Sequence, residues 1–178
     1  MNEGRISIRY AQALYAMAAE KKCENEIYEQ MLSLTQAFFQ VPEFSVALSN
    51  PIYSKEQKLN LLITAIGKEI SKELRTFFEF VLDKGREEFL IFFCMSYQDI
   101  YRKEKNLVVG ELVSASKLND KAVQKITNFV KAKYNQKLEL KTSINPDLIG
   151  GFVFEVNNQR MDASIKEELK KIQASMTA

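Results

Sequence analysis

Histidine and tryptophan are absent from these 178 residues, and cysteine occurs only at positions 23 and 94. Without histidine the chain lacks the commonest general base and the commonest metal ligand at neutral pH. A Ser-His-Asp or Cys-His nucleophile cannot be assembled. Cys23 and Cys94 are too few for a thiolate zinc site. In a reducing compartment they read as small apolar fillers rather than as a disulfide. Glycine (6) and proline (3) are scarce enough that long disordered linkers are not expected. No apolar run approaches the roughly 20 residues of a membrane-spanning helix. The longest, Phe77–Leu82 and Phe89–Met95, contain or border charges. Met1–Tyr10 carries Glu3, Arg5 and Arg9 and no apolar leader core. The expectation is therefore a soluble chain that stays on the side where it is made. Net charge is only +2, with basic and acidic residues interleaved, so no electrostatic footprint for nucleic acid stands out.

What is present is ordinary globular composition, 46% hydrophobic and 27% charged, at a length that suits one domain or two small ones. The first part reads as helical throughout. Arg5–Glu20 carries one apolar stripe at Ala11, Leu14, Tyr15 and Ala18, and a second, rotated one at Tyr10, Ala13 and Met17. A surface helix of a small bundle needs only one such face. The second is either core on another side or a groove for a partner. Cys23–Gln40 follows, with Ile27, Met31, Leu34 and Phe38 on one side, then a short helix from Pro42 to about Ser49. Ser54 and Gln57 fit a capping box, opening a helix lined by Leu59, Leu62, Ile63 and Ile66 that Gly67 closes. Glu69–Lys84 turns Leu74, Phe77, Phe78, Val81 and Leu82 inward, while Phe80 points elsewhere. Glu87–Lys105 presents Phe89, Phe93, Tyr97, Ile100 and Tyr101. Short connections predict antiparallel packing of neighbours. The phenylalanines at 77, 78, 89, 92 and 93 could stack bases only if exposed among cations, and their helical spacing points to a core instead.

Near Asn106 the pattern changes. Leu107–Ala115 is β-branched with period two. Asn119 caps a helix reaching Tyr134, with Ala122, Ile126, Phe129 and Val130 on its apolar side. Leu138 and Leu140 alternate with Lys137, Glu139 and Lys141 as a second strand, which Asn145-Pro146-Asp147 breaks. Gly150-Gly151 permit a positive φ or a close backbone approach. Phe152, Phe154 and Val156 alternate with Val153 and Glu155. Asn157-Asn158 suits a tight turn, and Arg160-Met161 begins a short return strand. Ser164 and Glu167 form a capping-box pattern, behind which Ile165, Leu169, Ile172 and Met176 keep one stripe. The order strand, helix, strand, strand, short strand, helix predicts a small α/β layer. Asp147 and Asp162 flank the glycines, but turn and cap uses explain them better than acid–base catalysis. The glycine pair lacks the Lys-Ser continuation of a phosphate loop.

Three stretches carry a resemblance. I-R-Y-A-Q-A-L-Y-A-M-A at the start, D-K-G-R at Asp83–Arg86, and L-I-G-G-F (Leu148, Ile149, Gly150, Gly151, Phe152) with M-D-A-S (including Asp162 and Ser164) occur in the order and spacing of the delta subunit family of F-type ATP synthases. The mitochondrial counterpart is the oligomycin-sensitivity-conferring protein. Phe154 departs from the smaller aliphatic usual there. The resemblance implies an N-terminal six-helix bundle, residues 1–105, and a C-terminal α/β domain, residues 106–178. It implies a non-catalytic peripheral-stalk subunit with no cofactor, metal or small-molecule substrate. That subunit sits peripherally on the cytoplasmic face of the bacterial inner membrane without inserting into it. By position, Tyr10, Ala13, Met17 and Phe80 would line a groove between the first and fifth helices for the N-terminal helices of alpha subunits. The C-terminal domain would hold the ends of the b subunits. The rival expectations are a helical adaptor for an unrelated partner, separable by copurification, and an RNA-binding protein using the Phe152–Phe154 sheet face, whose binding would weaken steeply with salt.

Overall fold

The computed structural model describes residues 3–67, 69–116, 119, 123–125, 127–128, 137–156 and 159–176. Two compact units divide the chain, Met1–Glu104 and Lys105–Ala178.

The first unit is helical: α1 (Glu3–Lys21), α2 (Glu24–Gln40), α3 (Pro42–Ser49), α4 (Lys55–Ile66), α5 (Lys72–Asp83) and α6 (Leu90–Glu104), the last preceded by a 3-10 turn at Glu87–Phe89. Local chemistry sets several of these boundaries. Ser54 accepts from the Gln57 amide while the Gln57 side chain accepts from the Ser54 amide, a complete capping box on α4. Gly67 ends α4 at φ 69°, a left-handed conformation that costs glycine nothing. Helix α5 begins at Lys72 rather than at Glu69. Ser71 caps it, its Oγ accepting from the Leu74 amide, and that same hydroxyl donates to Gln30 Oε1. Gln30 Nε2 also donates to the Glu69 carbonyl. The buried Gln30 thus fastens the α4–α5 link to α2.

Leu14, Ile27, Met31, Leu34, Phe78, Phe93 and Tyr97 are among the enclosed side chains of this unit. Each large apolar group so buried is worth about 1.5–3 kcal/mol, enough to hold a bundle without metal or disulfide. Several polar groups inside are paired: Gln98 Nε2 donates to Thr35 Oγ1 at 2.7 Å, and the Tyr101 hydroxyl to Asn25 Oδ1 at 2.8 Å. A buried ion pair, Lys58–Glu87, clamps α4 to the 3-10 turn. Phe92, expected in the core, lies on the outer face of α6 and is exposed. It lies one position before Phe93, about 100° round α6 from that buried ring.

The second unit is a four-stranded mixed sheet in the order β2-β1-β3-β4. Its strands are β1 (Leu107–Ser114), β2 (Lys137–Ile144), β3 (Gly151–Val156) and β4 (Gln159–Ser164). Helix α7 (Ile165–Met176) follows directly. Strand β1 pairs parallel with β2 and antiparallel with β3. A parallel pair needs a long crossover. Residues 123–125 and 127–128 within that crossover are helical, and the Asn119 carbonyl accepts from the Val123 amide; the rest of the expected 119–134 helix, and the expected turn at 157–158, lie outside the described residues. Val108, Leu112, Phe154 and Val156 form the core, with Leu138, Leu140 and Phe152 packed against it. Phe154 is accommodated by a missing side chain. A Cβ added to Gly110 would lie 2.8 Å from the Phe154 ring and 2.9 Å from Leu138 Cδ1. The large residue in β3 and the glycine in β1 are complementary in volume.

Candidate functional site

The two stripes of α1 go different ways. Ala11, Leu14 and Ala18 are buried. Tyr10, Ala13 and Met17, together with Ile6, form one wall of an open trough of about 610 Å³. Thr76, Phe77 and Phe80 of α5 form the other wall. Tyr10, Ala13, Met17 and Phe80 therefore share one groove. Phe80 is 48% exposed, so its ring is available from outside. Tyr10 is held rigidly: its ring stacks on Phe93 at 4.7 Å and 8°, meets Phe77 edge-on at 6.4 Å, and lies 5.8 Å from Phe80. Its hydroxyl accepts from Arg86 Nη1 at 2.8 Å.

The lining is apolar and aromatic, with cations at the rim. Arg9 and Arg86 also border it. Sequence reading did not single these out. Arg86 reaches the groove because Gly85 turns the chain at φ 59° after α5, a tertiary event announced only by the glycine in D-K-G-R. Nothing in this trough resembles a reaction centre, and no group of metal-ligating side chains occurs among the described residues. An apolar trough between two helices, about three turns long from Ile6 to Met17, is suited to receiving the apolar face of another helix.

In the second unit the signature residues make a joint. Asn145 Oδ1 accepts from the Asp147 amide, starting a 3-10 turn at Pro146–Leu148. Ile149 follows at φ 65°, an unusual conformation for a β-branched residue. The Gly150 carbonyl accepts from the Ile165 amide at 3.0 Å, and the Gly151 carbonyl from the Ala115 amide at 3.3 Å. Gly151 has φ 77°, and a Cβ there would sit 2.1 Å from the Ala163 carbonyl oxygen. The glycine pair thus lets β3 start tight against β4, between the end of β1 and the beginning of α7. Phe152 is half-buried on the core face, and Leu148 is half-buried in the turn.

The cap of α7 departs from the expected box. Ser164 Oγ accepts from the Glu167 amide, as expected. The reciprocal half comes from Asp162 instead, whose Oδ1 accepts from both the Ser164 amide and the Ser164 hydroxyl. Asp162 Oδ2 accepts from Arg160. These donors, the Ser164 hydroxyl foremost, hold the Asp162 carboxyl below the usual carboxylate range. Its acceptors are thereby occupied in structure. The apolar stripe of α7 is half open: Ile165, Leu169 and Ile172 are 43%, 51% and 55% exposed. Their periodicity groups them on one face without saying what covers it.

Comparison with known proteins bears on both units. The profile described as ATP synthase delta (OSCP) subunit matches residues 6–176. The chain belongs to the ATP synthase delta (OSCP) subunit family. ATP synthase subunit delta of Phocaeicola vulgatus is 42% identical over 98% of this chain and 95% of its own. That of Bacteroides fragilis is 38% identical over 97% and 94%. In fold the chain resembles one in the cryo-EM structure of the Toxoplasma gondii mitochondrial ATP synthase hexamer, with a TM-score of 0.62 and 23% identity over 100% of this chain and 98% of that one. A delta-family chain is a structural, non-catalytic subunit with a stator role, peripheral to the membrane. Among the described residues no helix is long and apolar enough to cross a membrane.

Proposed function

We propose that residues 1–105 act as a six-helix bundle domain whose α1–α5 groove receives amphipathic N-terminal helices of ATP synthase alpha subunits. Residues 106–178 act as a second domain that holds the C-terminal ends of the b subunits, at the cytoplasmic face of the membrane. The observation carrying the first half is that Tyr10, Ala13, Met17 and Phe80 all line one open apolar trough. For the second half, support comes from the exposed Ile165, Leu169 and Ile172 on α7, beside the exposed Ile149 of the preceding turn.

The mechanism is mechanical. A rotor turning against the catalytic head exerts an equal torque on it, so the head spins unless something ties it down. A tie needs affinity at both ends and an unyielding body between. Apolar burial in a preformed groove supplies affinity at little ordering cost, and a few aromatic anchors dominate such contacts. Tyr10, locked by Phe93, Phe77 and Arg86, is preorganised in this sense. An RNA-binding use of the sheet finds no support, because Phe154 is buried and Phe152 packs against the same core.

The test is capture of the full chain by a peptide from the N-terminus of the alpha subunit, repeated with Tyr10→Asp and Phe80→Asp. Both substitutions weaken capture while helix content by circular dichroism is retained. Undiminished capture of both folded variants would remove the groove from the account.

A further inference from the structure

The turn after α5 reads Asp83-Lys84-Gly85-Arg86-Glu87, alternating in sign around one glycine, and the fold sorts those charges. Both acids are neutralised from α4: Lys55 pairs with Asp83 and Lys58 with Glu87. Both cations lean the other way, onto the groove aromatics. Lys84 Nζ lies 5.6 Å from the centre of the Phe80 ring. The Arg86 guanidinium lies 5.3 Å from the centre of the Tyr10 ring and gives only Nη1 to the Tyr10 hydroxyl. From α1, Arg9 borders the same trough, is exposed, and its side chain takes part in no hydrogen bond or ion pair among the described residues. Among the described residues no aspartate or glutamate lines the trough. Three cations therefore surround the Tyr10–Phe80 pair, and the acids nearest them in sequence after α5 are engaged elsewhere.

We infer that the helix filling this groove carries at least one carboxylate on its flank, seated among Arg9, Lys84 and Arg86 while its apolar stripe lies on Tyr10, Ala13, Met17 and Phe80. This deepens the groove assignment proposed above and rests on it. The apolar contacts supply most of the affinity. The carboxylate fixes which way round and how far along the helix sits, since sliding by one turn takes it out of reach of the cations.

The test measures binding of a fluorescein-labelled N-terminal peptide of the same organism's alpha subunit to the full chain by anisotropy. Wild type is compared with Arg9→Glu, Lys84→Glu and the double variant. The side chains of Arg9 and Lys84 are exposed and make no hydrogen bond among the described residues, so these variants keep the bundle intact, checked by circular dichroism. Each reversal raises Kd about 3- to 5-fold and the pair about 10-fold or more, the scale of exposed ion pairs turned into repulsions. Wild-type affinity falls as salt rises from about 50 to about 500 mM, because exposed charges are then screened. A peptide with its carboxylates changed to lysines binds wild type more weakly and the double variant more tightly. Binding unchanged by the reversals, by salt, and by replacing the peptide's carboxylates with amides overturns this inference and leaves the groove assignment standing. A peptide that does not bind wild type at all overturns both.

Discussion

The two adjacent glycines of the C-terminal joint should respond very differently to the same added methyl group. In Gly151→Ala, the new Cβ would lie 2.1 Å from the Ala163 carbonyl oxygen, with the Ala163 carbon and Ser164 Cα each at 3.1 Å. All three are backbone atoms of β4 and its end. Ordinary contact begins at 3.4 Å, so β3 and β4 would have to part by more than about 1 Å. Position 151 also has φ 77°, which costs an L-residue about 1–2 kcal/mol. Parting the strands weakens the bond from the Ile165 amide to the Gly150 carbonyl, which continues the β3–β4 pairing, at about 0.5–1.5 kcal/mol. The total is about 3 kcal/mol, or roughly a hundredfold in the local opening equilibrium. In Gly150→Ala the nearest atom is Ile165 Cδ1 at 2.4 Å, the far end of a side chain that is 43% exposed and can change rotamer. That change costs under about 1 kcal/mol. Hydrogen exchange by mass spectrometry on the full chain reads this directly. Peptides covering β3 and β4 lose protection by about two orders of magnitude in Gly151→Ala and by less than tenfold in Gly150→Ala. Equal loss in both, or greater loss in Gly150→Ala, would refute the assignment of the close approach to Gly151.

Burial pushes the Cys94 thiol up to about 12, so at pH 8 only about one part in ten thousand is thiolate. Iodoacetamide should leave Cys94 unmodified in the folded chain. Cys23 is raised also, by burial first and then by Glu73 and Glu26, and it reacts slowly but ahead of Cys94; equal rates would contradict the packing. Lys58→Met strands the buried Glu87 carboxylate and should cost about 3 kcal/mol in urea unfolding, while Lys58→Met with Glu87→Leu recovers most of it. A double variant as unstable as the single would show that the charges themselves are required. The Asp162 carboxyl is depressed in the folded state, so its contribution is present above the unfolded carboxylate value and is lost as pH falls through the folded one. Asp162→Asn should flatten the acid limb of protection in β4 and the first turn of α7, and an unchanged limb would assign the acid sensitivity elsewhere.

What was legible in the sequence was local or in surplus. The Ser54–Gln57 box and the Gly67 cap each depend on residues within one turn of each other. The groove was visible because α1 carries more apolar residues than one buried face can use, with Tyr10, Ala13 and Met17 left over, and because Phe80 sits off the inward stripe of α5. What needed the fold were contacts between distant residues. Gln30 captures Ser71 from α2 and so shifts the start of α5, and nothing near Glu69 signals that. Arg86 enters the groove through a turn and a hydrogen bond to a side chain far back in α1. The Ser164 box was half right because Asp162, two residues upstream, outcompetes Glu167 for the Ser164 amide. Periodicity grouped Ile165, Leu169 and Ile172 on one face of the last helix but did not show how far that face is exposed.

We propose that this chain ties the catalytic head by gripping it in the α1–α5 groove. The most direct measurement is ATP-driven proton pumping by membrane vesicles depleted of the chain and then resupplied with it. Ala13 and Phe80 are exposed, so Ala13→Glu with Phe80→Asp blocks the groove without disturbing the core. Wild type should restore pumping, and the double variant should not, while ATP hydrolysis by the head continues in both. Full restoration of pumping by the folded double variant would contradict the account.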